Sequence, residues 1–177
     1  MNKIVTIKFE NHNEAVGFRN FILLNDLFPE NLQTRFLKRR SIFWYLLKIF
    51  FPKANIKEVY IAFFGNVYCP PHLNTITPDL AIHELVHIRQ QKAYREKSLE
   101  RYVLPALWAF FYIINKNIRF NFEFEAYVKQ LQYLKETGTT IDKNILQKIG
   151  TVISSKMYGN MVEFPVVYKK LRDIFIK

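Results

Sequence analysis

The chain has one cysteine, Cys69, and only five glycines, seven prolines and four histidines in 177 residues. A single thiol excludes an internal disulfide framework and any zinc site built from several cysteines, so the fold needs no oxidising compartment. Internal repeats, Ser/Gly-rich linkers and long runs of like charge are also missing, which argues for one continuous domain over residues 1–177. The longest uncharged apolar stretch, Tyr102 to Ile114, holds about 13 residues, whereas a bilayer span needs roughly 20. At the N-terminus, Ile4 to Phe9 alternates with polar residues and runs into Glu10, with no apolar signal core and no small-residue cleavage site. The expectation is an unprocessed, cytoplasmic chain, with a virion or a peripheral membrane position as alternatives.

Half of the residues are hydrophobic and 16% aromatic, enough to bury a sizeable core. The formal charge of +11 biases the protein toward anionic partners without naming one. Nucleic acid and a membrane surface are both candidates, although no nucleic-acid-binding motif is present.

Local patterning predicts an α+β fold, mostly helical, with a small antiparallel sheet. Lys3 to Phe9 has the period of a strand, and Asn13 to Leu24 reads as a helix capped by Asn11 or Asn13. Ile42 to Phe51, behind Lys38-Arg39-Arg40, reads as a core helix with a basic collar or as a membrane-surface helix. Glu58 to Tyr68 reads as a hairpin about Gly65-Asn66, ended by Cys69-Pro70-Pro71. Thr77-Pro78-Asp79 starts a helix to about Lys97: a Thr cap, Pro at the first helical position, and an acid facing the positive end of the dipole. Further helices are expected over Glu100 to Ile114 with a kink at Pro105, over Phe122 to Glu136 ending at Gly138, and from a Thr139 or Thr140 cap to Lys156. Gly159-Asn160 then breaks the chain before a last segment to Lys177.

Inside the Thr77-capped helix lies His83-Glu84-Leu85-Val86-His87, an H-E-x-x-H sequence. Residues four apart differ by about 40° around a helix and about 6 Å along it, so both imidazoles leave one face and can share a Zn²⁺. Glu84, about 100° round from His83, can act on water beside the metal without ligating it. With four histidines and eleven glutamates in the chain, chance produces this pattern roughly 0.006 times. Apolar residues nearly all round the helix imply burial, and buried imidazoles need partners. His12, in a polar turn, and His72, after two prolines, are poor third ligands, though His72 could line a cleft. No carboxylate occurs between Glu100 and Glu123; then Glu123 and Glu125 stand in an aromatic, helix-prone segment, where a cation would explain them.

These motifs resemble those of the gluzincin-type zinc metallopeptidases, in which a Glu on a later helix completes the two motif histidines. One branch of that group reads E-x-x-A-D there. Glu123-Phe124-Glu125-Ala126-Tyr127 matches at Glu and Ala and has Tyr where that branch has Asp. The run from His83 to Gln91, with Gln90 and Gln91, and the later F-E-x-E-A-Y run are also similar to small bacterial and phage metallopeptidase-like proteins. The resemblance covers about 50 residues, Asp79 to Gln130. It implies Glu123 as third ligand, Glu125 as an alternative ligand or a group behind the ligands, and hydrolysis of peptide bonds with Glu84 as general base. Tyr127, His72, Tyr68 and Arg89 are the candidates for stabilising an oxyanion. The resemblance also suggests that the Gly65 to Cys69 strand offers a sheet edge to a peptide substrate. A second expectation is a structural or assembly protein, a subunit of a larger particle, that keeps zinc for stability. Tyr102 to Ile114 would pack the two metal helices together, or else form a hydrophobic substrate wall or membrane contact.

Overall fold

The computed structural model describes residues 7–8, 16–17, 35–38, 59–63, 66–70, 75–96 and 103–176. In chain order its strands are β1 (Ile7–Lys8), β2 (Val16–Gly17), β3 (Arg35–Lys38), β4 (Ile61–Phe63), β5 (Asn66–Cys69) and β6 (Thr75–Ile76). The helices are α1 (Pro78–Glu96), α2 (Val103–Ile114), α3 (Lys116–Glu136), α4 (Lys143–Ser154) and α5 (Phe164–Phe175), with a 3₁₀ turn at Lys156–Tyr158. The class is α+β and mostly helical. Among the described residues no helix is long and apolar enough to cross a membrane.

Strands β1 and β6 pair antiparallel, and the other four form a sheet in the order β2-β3-β5-β4. The hairpin is present, but Phe63 pairs with Asn66, so Asn66 belongs to the strand and not to the turn. Strand β3 joins β5 in parallel, against the expectation of antiparallel pairing alone. That pairing also encloses β5 between two neighbours, so β5 is not a sheet edge; among the described residues the outer strands are β2 and β4. Val16–Gly17, expected in a helix, is extended and paired with Arg35–Phe36. A β-branched residue followed by glycine is poor helix material, and strand pairing supplies the hydrogen bonds instead. The rest of the Asn13 to Leu24 segment and all of Ile42 to Phe51 lie outside the described residues.

Helix α1 starts where its residues dictate, with Ala81 N–H donating to the Thr77 carbonyl at 2.9 Å and Pro78 at the first position. Every residue from Ala81 to Ile88 is buried, so the helix has no solvent face along its middle. Burial of Ile82, Leu85, Val86 and Ile88 contributes about 1.5–3 kcal/mol per side chain. On one side α1 packs with β4 and β5 through Ala62, Val67 and Cys69, where Gln91 Nε2 donates to the Ala62 carbonyl at 2.8 Å. On the other side it packs along α3, which runs antiparallel to it. Gln130 Nε2 donates to Asp79 Oδ2 at 2.7 Å at one end, and Gln90 Nε2 donates to the Phe122 carbonyl at 3.1 Å toward the other. Helix α3 is shared between two cores: Ala126 faces α1, while Phe120, Tyr127 and Leu131 join Leu146, Ile153, Val167 and Leu171 of α4 and α5.

Two helix boundaries differ from expectation, each for a capping reason. Helix α3 begins at Lys116, not at Phe122, because Asn115 Oδ1 accepts from the N–H groups of Asn117 and Ile118. Helix α2 is described from Val103 to Ile114, and Glu100 to Tyr102, expected at its start, lie outside the described residues. Helix α4 is capped by Asp142, whose Oδ1 accepts from Ile145 N–H at 2.8 Å, and not by Thr139 or Thr140; it ends at Ser154. Asp142→Ala should therefore cost about 1 kcal/mol and lower the melting temperature by roughly 2–4 °C, with Thr140→Ala leaving it unchanged, as read by thermal denaturation.

Candidate metal centre

Helix geometry alone brings His83 and His87 to one face of α1, and their Nε2 atoms are 3.3 Å apart. Helix α3 brings Glu123 to the same point. Its Oε2 lies 3.5 Å from His83 Nε2 and its Oε1 3.4 Å from His87 Nε2. One ligand atom from each of the three residues falls within 4.8 Å of the others. All three are buried, at 3%, 6% and 2% exposure, as is Glu84 at 6%.

The donor set fits a divalent cation. Gln90 Oε1 lies 3.0 Å from His87 Nδ1 and accepts its proton, which leaves a lone pair on His87 Nε2 facing the cluster. Buried acceptors therefore converge, and Glu123 Oε2 finds no hydrogen-bond donor among the described residues. Lone pairs gathered in this way repel unless a proton or a cation lies among them. Ligands about 2.05 Å from a tetrahedral Zn²⁺ stand about 3.3 Å apart, close to the shortest separations here.

Burial pushes the Glu123 carboxyl up, but the His87 and His83 imidazoles and the Tyr112 hydroxyl outweigh it and hold the group at about 2. Glu123 is therefore an anion at neutral pH in a nearly dry setting. Tyr112 O–H donates to Glu123 Oε1 at 2.5 Å, and burial, reinforced by the Glu123 charge, raises its pKa well above the usual phenol value. Tyr127 and Tyr158, whose hydroxyls are 3.1 Å apart, are raised by burial and by Glu123 as well. Glu84 adds to the shift of both Tyr112 and Tyr127. Three neutral phenols thus stand near Glu123.

The neighbouring side chains fix these groups in place. The Tyr127 ring meets His83 edge-on at 4.4 Å, and Trp108, stacked between Tyr112 and Phe122, lies 5.9 Å from His87. Arg119, buried at 5% exposure, donates through one guanidinium nitrogen to the Tyr112 and Ile113 carbonyls at 3.2 and 3.1 Å. Both carbonyls belong to the last turn of α2. Arg119 therefore clamps α2 to α3 and sets Tyr112 against Glu123.

Of the residues singled out in the sequence, His83, Glu84, His87, Glu123 and Tyr127 are brought together. Glu125 is not in the cluster: it pairs with Arg89 and accepts from Gln90 Nε2 at 2.9 Å. Its position behind Gln90 makes it part of a Glu125-Gln90-His87 chain, and it occupies Arg89 as well. His72 lies outside the described residues. Tyr112, Tyr158 and Arg119 were not expected at the centre. A tyrosine four residues after a tryptophan in an otherwise apolar helix was the available signal for Tyr112.

An α+β fold carrying a buried His-His-Glu cluster on two antiparallel helices is therefore the class of structure in hand. Comparison with protein-family models, with curated proteins and with solved structures finds no match to this chain.

Glu123→Gln should lower Zn²⁺ affinity by far more than Glu125→Gln, with Gln90→Ala costing about 10–100-fold through loss of the His87 orientation; competition titration against a chromophoric chelator reads all three.

Proposed function

We propose that the protein is a zinc-dependent metallopeptidase. The observation that carries this reading is the convergence of His83, His87 and Glu123 with Glu84 one residue along the same helix. The ligand set, two imidazoles and one carboxylate, is the kind that leaves a position open for water, and Cys69 is the chain's only thiol. Zn²⁺ held there supplies Lewis acidity, bringing the pKa of water to about 7 and polarising a carbonyl.

The chain's own residues do the rest. Glu84 accepts a proton from the attacking water and returns it to the departing amine, so its carboxylate cycles once per bond cleaved. Burial lowers the local dielectric and strengthens each of these contacts. Tyr127 and Tyr158, kept protonated by burial and by the Glu123 charge, are the hydroxyls suited to donate toward charge developing on the substrate oxygen. Tyr112 is committed to Glu123 and keeps that ligand in one orientation. Arg89, engaged with Glu125, is not a candidate donor. Since β5 is enclosed by its neighbours, a substrate adding as a strand would use an outer strand of the described sheet, β2 or β4.

The burial of Glu84 together with the three ligands favours one second reading, a zinc site that stabilises an assembly protein without turnover. The two separate at Glu84. Elemental analysis of the purified protein should give one zinc per chain in both the wild type and Glu84→Gln, while hydrolysis of a fluorogenic peptide library falls by about 10²–10⁴-fold in the variant. Zinc retained by both with no Glu84-dependent hydrolysis supports the structural reading. In either case chelation should lower the melting temperature, because the metal binds only the folded chain.

A further inference from the structure

Helix α2 is apolar along its whole length, Val103-Leu-Pro-Ala-Leu-Trp-Ala-Phe-Phe-Tyr-Ile-Ile114, and it is only partly used by the core. Trp108 and Tyr112 turn inward to the metal cluster. Leu107, Phe110 and Ile114 remain 38%, 53% and 57% exposed. At 100° per residue these three fall within an arc of about 60°, centred about 150° round from the Trp108–Tyr112 face. The helix thus carries a ridge of three large apolar side chains in water on one side and the site on the other.

Along the sequence through this ridge, charge has one sign. From Arg101 to Phe122 the chain contains no acid, and its charged residues are Arg101, Lys116 and Arg119. Arg119 is buried, but Lys116 is exposed, two residues beyond Ile114 and flanked by exposed Asn115 and Asn117. An apolar ridge ending in a lysine, on a chain of net charge +11, complements a surface that is apolar inside and anionic outside. A second copy of this chain fits less well, because two such ridges would bring together segments with no acid to pair their bases. The helix is also too short to cross a bilayer, which leaves the interfacial position.

We infer that α2 lies on an anionic lipid surface, with Leu107, Phe110 and Ile114 among the upper acyl chains and Lys116 at the lipid phosphates. The site on the opposite face of the same helix is then held close to the membrane and directed away from it. This inference rests on α2 alone and stands whether or not the metal cluster is catalytic.

The test is co-sedimentation of the full chain with vesicles of phosphatidylcholine alone and with phosphatidylglycerol added, with and without bound zinc. Because net charge by itself attracts any basic protein to anionic vesicles, the deciding variant is Phe110→Ser, which changes no charge. Binding to the anionic vesicles should exceed that to neutral ones, and Phe110→Ser should weaken it about tenfold, as expected from losing one partly buried aromatic side chain. Ile114→Ser is the second variant, and circular dichroism with thermal melting verifies that both are folded. Absence of binding to anionic vesicles overturns the inference, as does binding that folded Phe110→Ser and Ile114→Ser leave unchanged. A dimer in analytical ultracentrifugation that Phe110→Ser dissociates, without vesicle binding, overturns it in favour of a second copy. A loss of peptidase activity with vesicle binding intact bears on the proposed function and not on this inference.

Discussion

A carboxylate at 2% exposure, facing two imidazoles from another helix, is the constraint on which the rest of this structure turns. A buried charge is strongly disfavoured unless it is paired and hydrogen-bonded. Glu123 gains one donor, Tyr112, and otherwise faces His83 and His87. Everything nearby serves to keep those groups at fixed separation. Gln90 and Gln130 tie α3 to α1 along its length, Gln91 ties α1 to the sheet, and Arg119 ties α2 to α3. The apolar burial of α1 and the polar cross-links are complementary: the first fixes the distance between helices, and the second fixes their register.

Placement of a carboxylate ligand among neutral phenols has a chemical consequence. Tyr112, Tyr127 and Tyr158 are all pushed away from ionisation by burial and by Glu123, so each remains a hydrogen-bond donor at neutral pH. Glu123 is then held as an anion at the centre, with Glu84 next to His83 along α1. On the proposed reading Glu123 would hold the metal and Glu84 would accept the proton, the division of roles that a metal-assisted hydrolysis requires of its protein.

What could be read from the sequence was mostly what helix geometry determines locally. Thr77-Pro78 fixes a start, the four-residue spacing of His83 and His87 fixes a shared face, and neither needs tertiary information. The α+β class was likewise legible from alternating and helical periods. The choice between Glu123 and Glu125 was not settled by the residues alone, since it depends on how α3 is rotated against α1; resemblance named Glu123, and the packing turns Glu123 inward and Glu125 toward Arg89. The parallel β3–β5 pairing joins segments about thirty residues apart and has no local signature. Helix starts differ from the sequence expectation where a side-chain cap decides them: Asn115 starts α3 about a turn and a half before Phe122, and Asp142 caps α4 in place of Thr139 or Thr140. Tyr112 and Arg119 escaped notice because their roles exist only when α2 folds back on α3.

The central claim is that His83, His87 and Glu123 together hold one divalent cation. Zinc K-edge X-ray absorption on the loaded protein tests it most directly. Two imidazole nitrogens and oxygen ligands at about 2.0–2.1 Å, with the imidazole contribution halved in His87→Ala, are the predicted result. A sulfur ligand at about 2.3 Å, or a spectrum unchanged by His87→Ala, would contradict it.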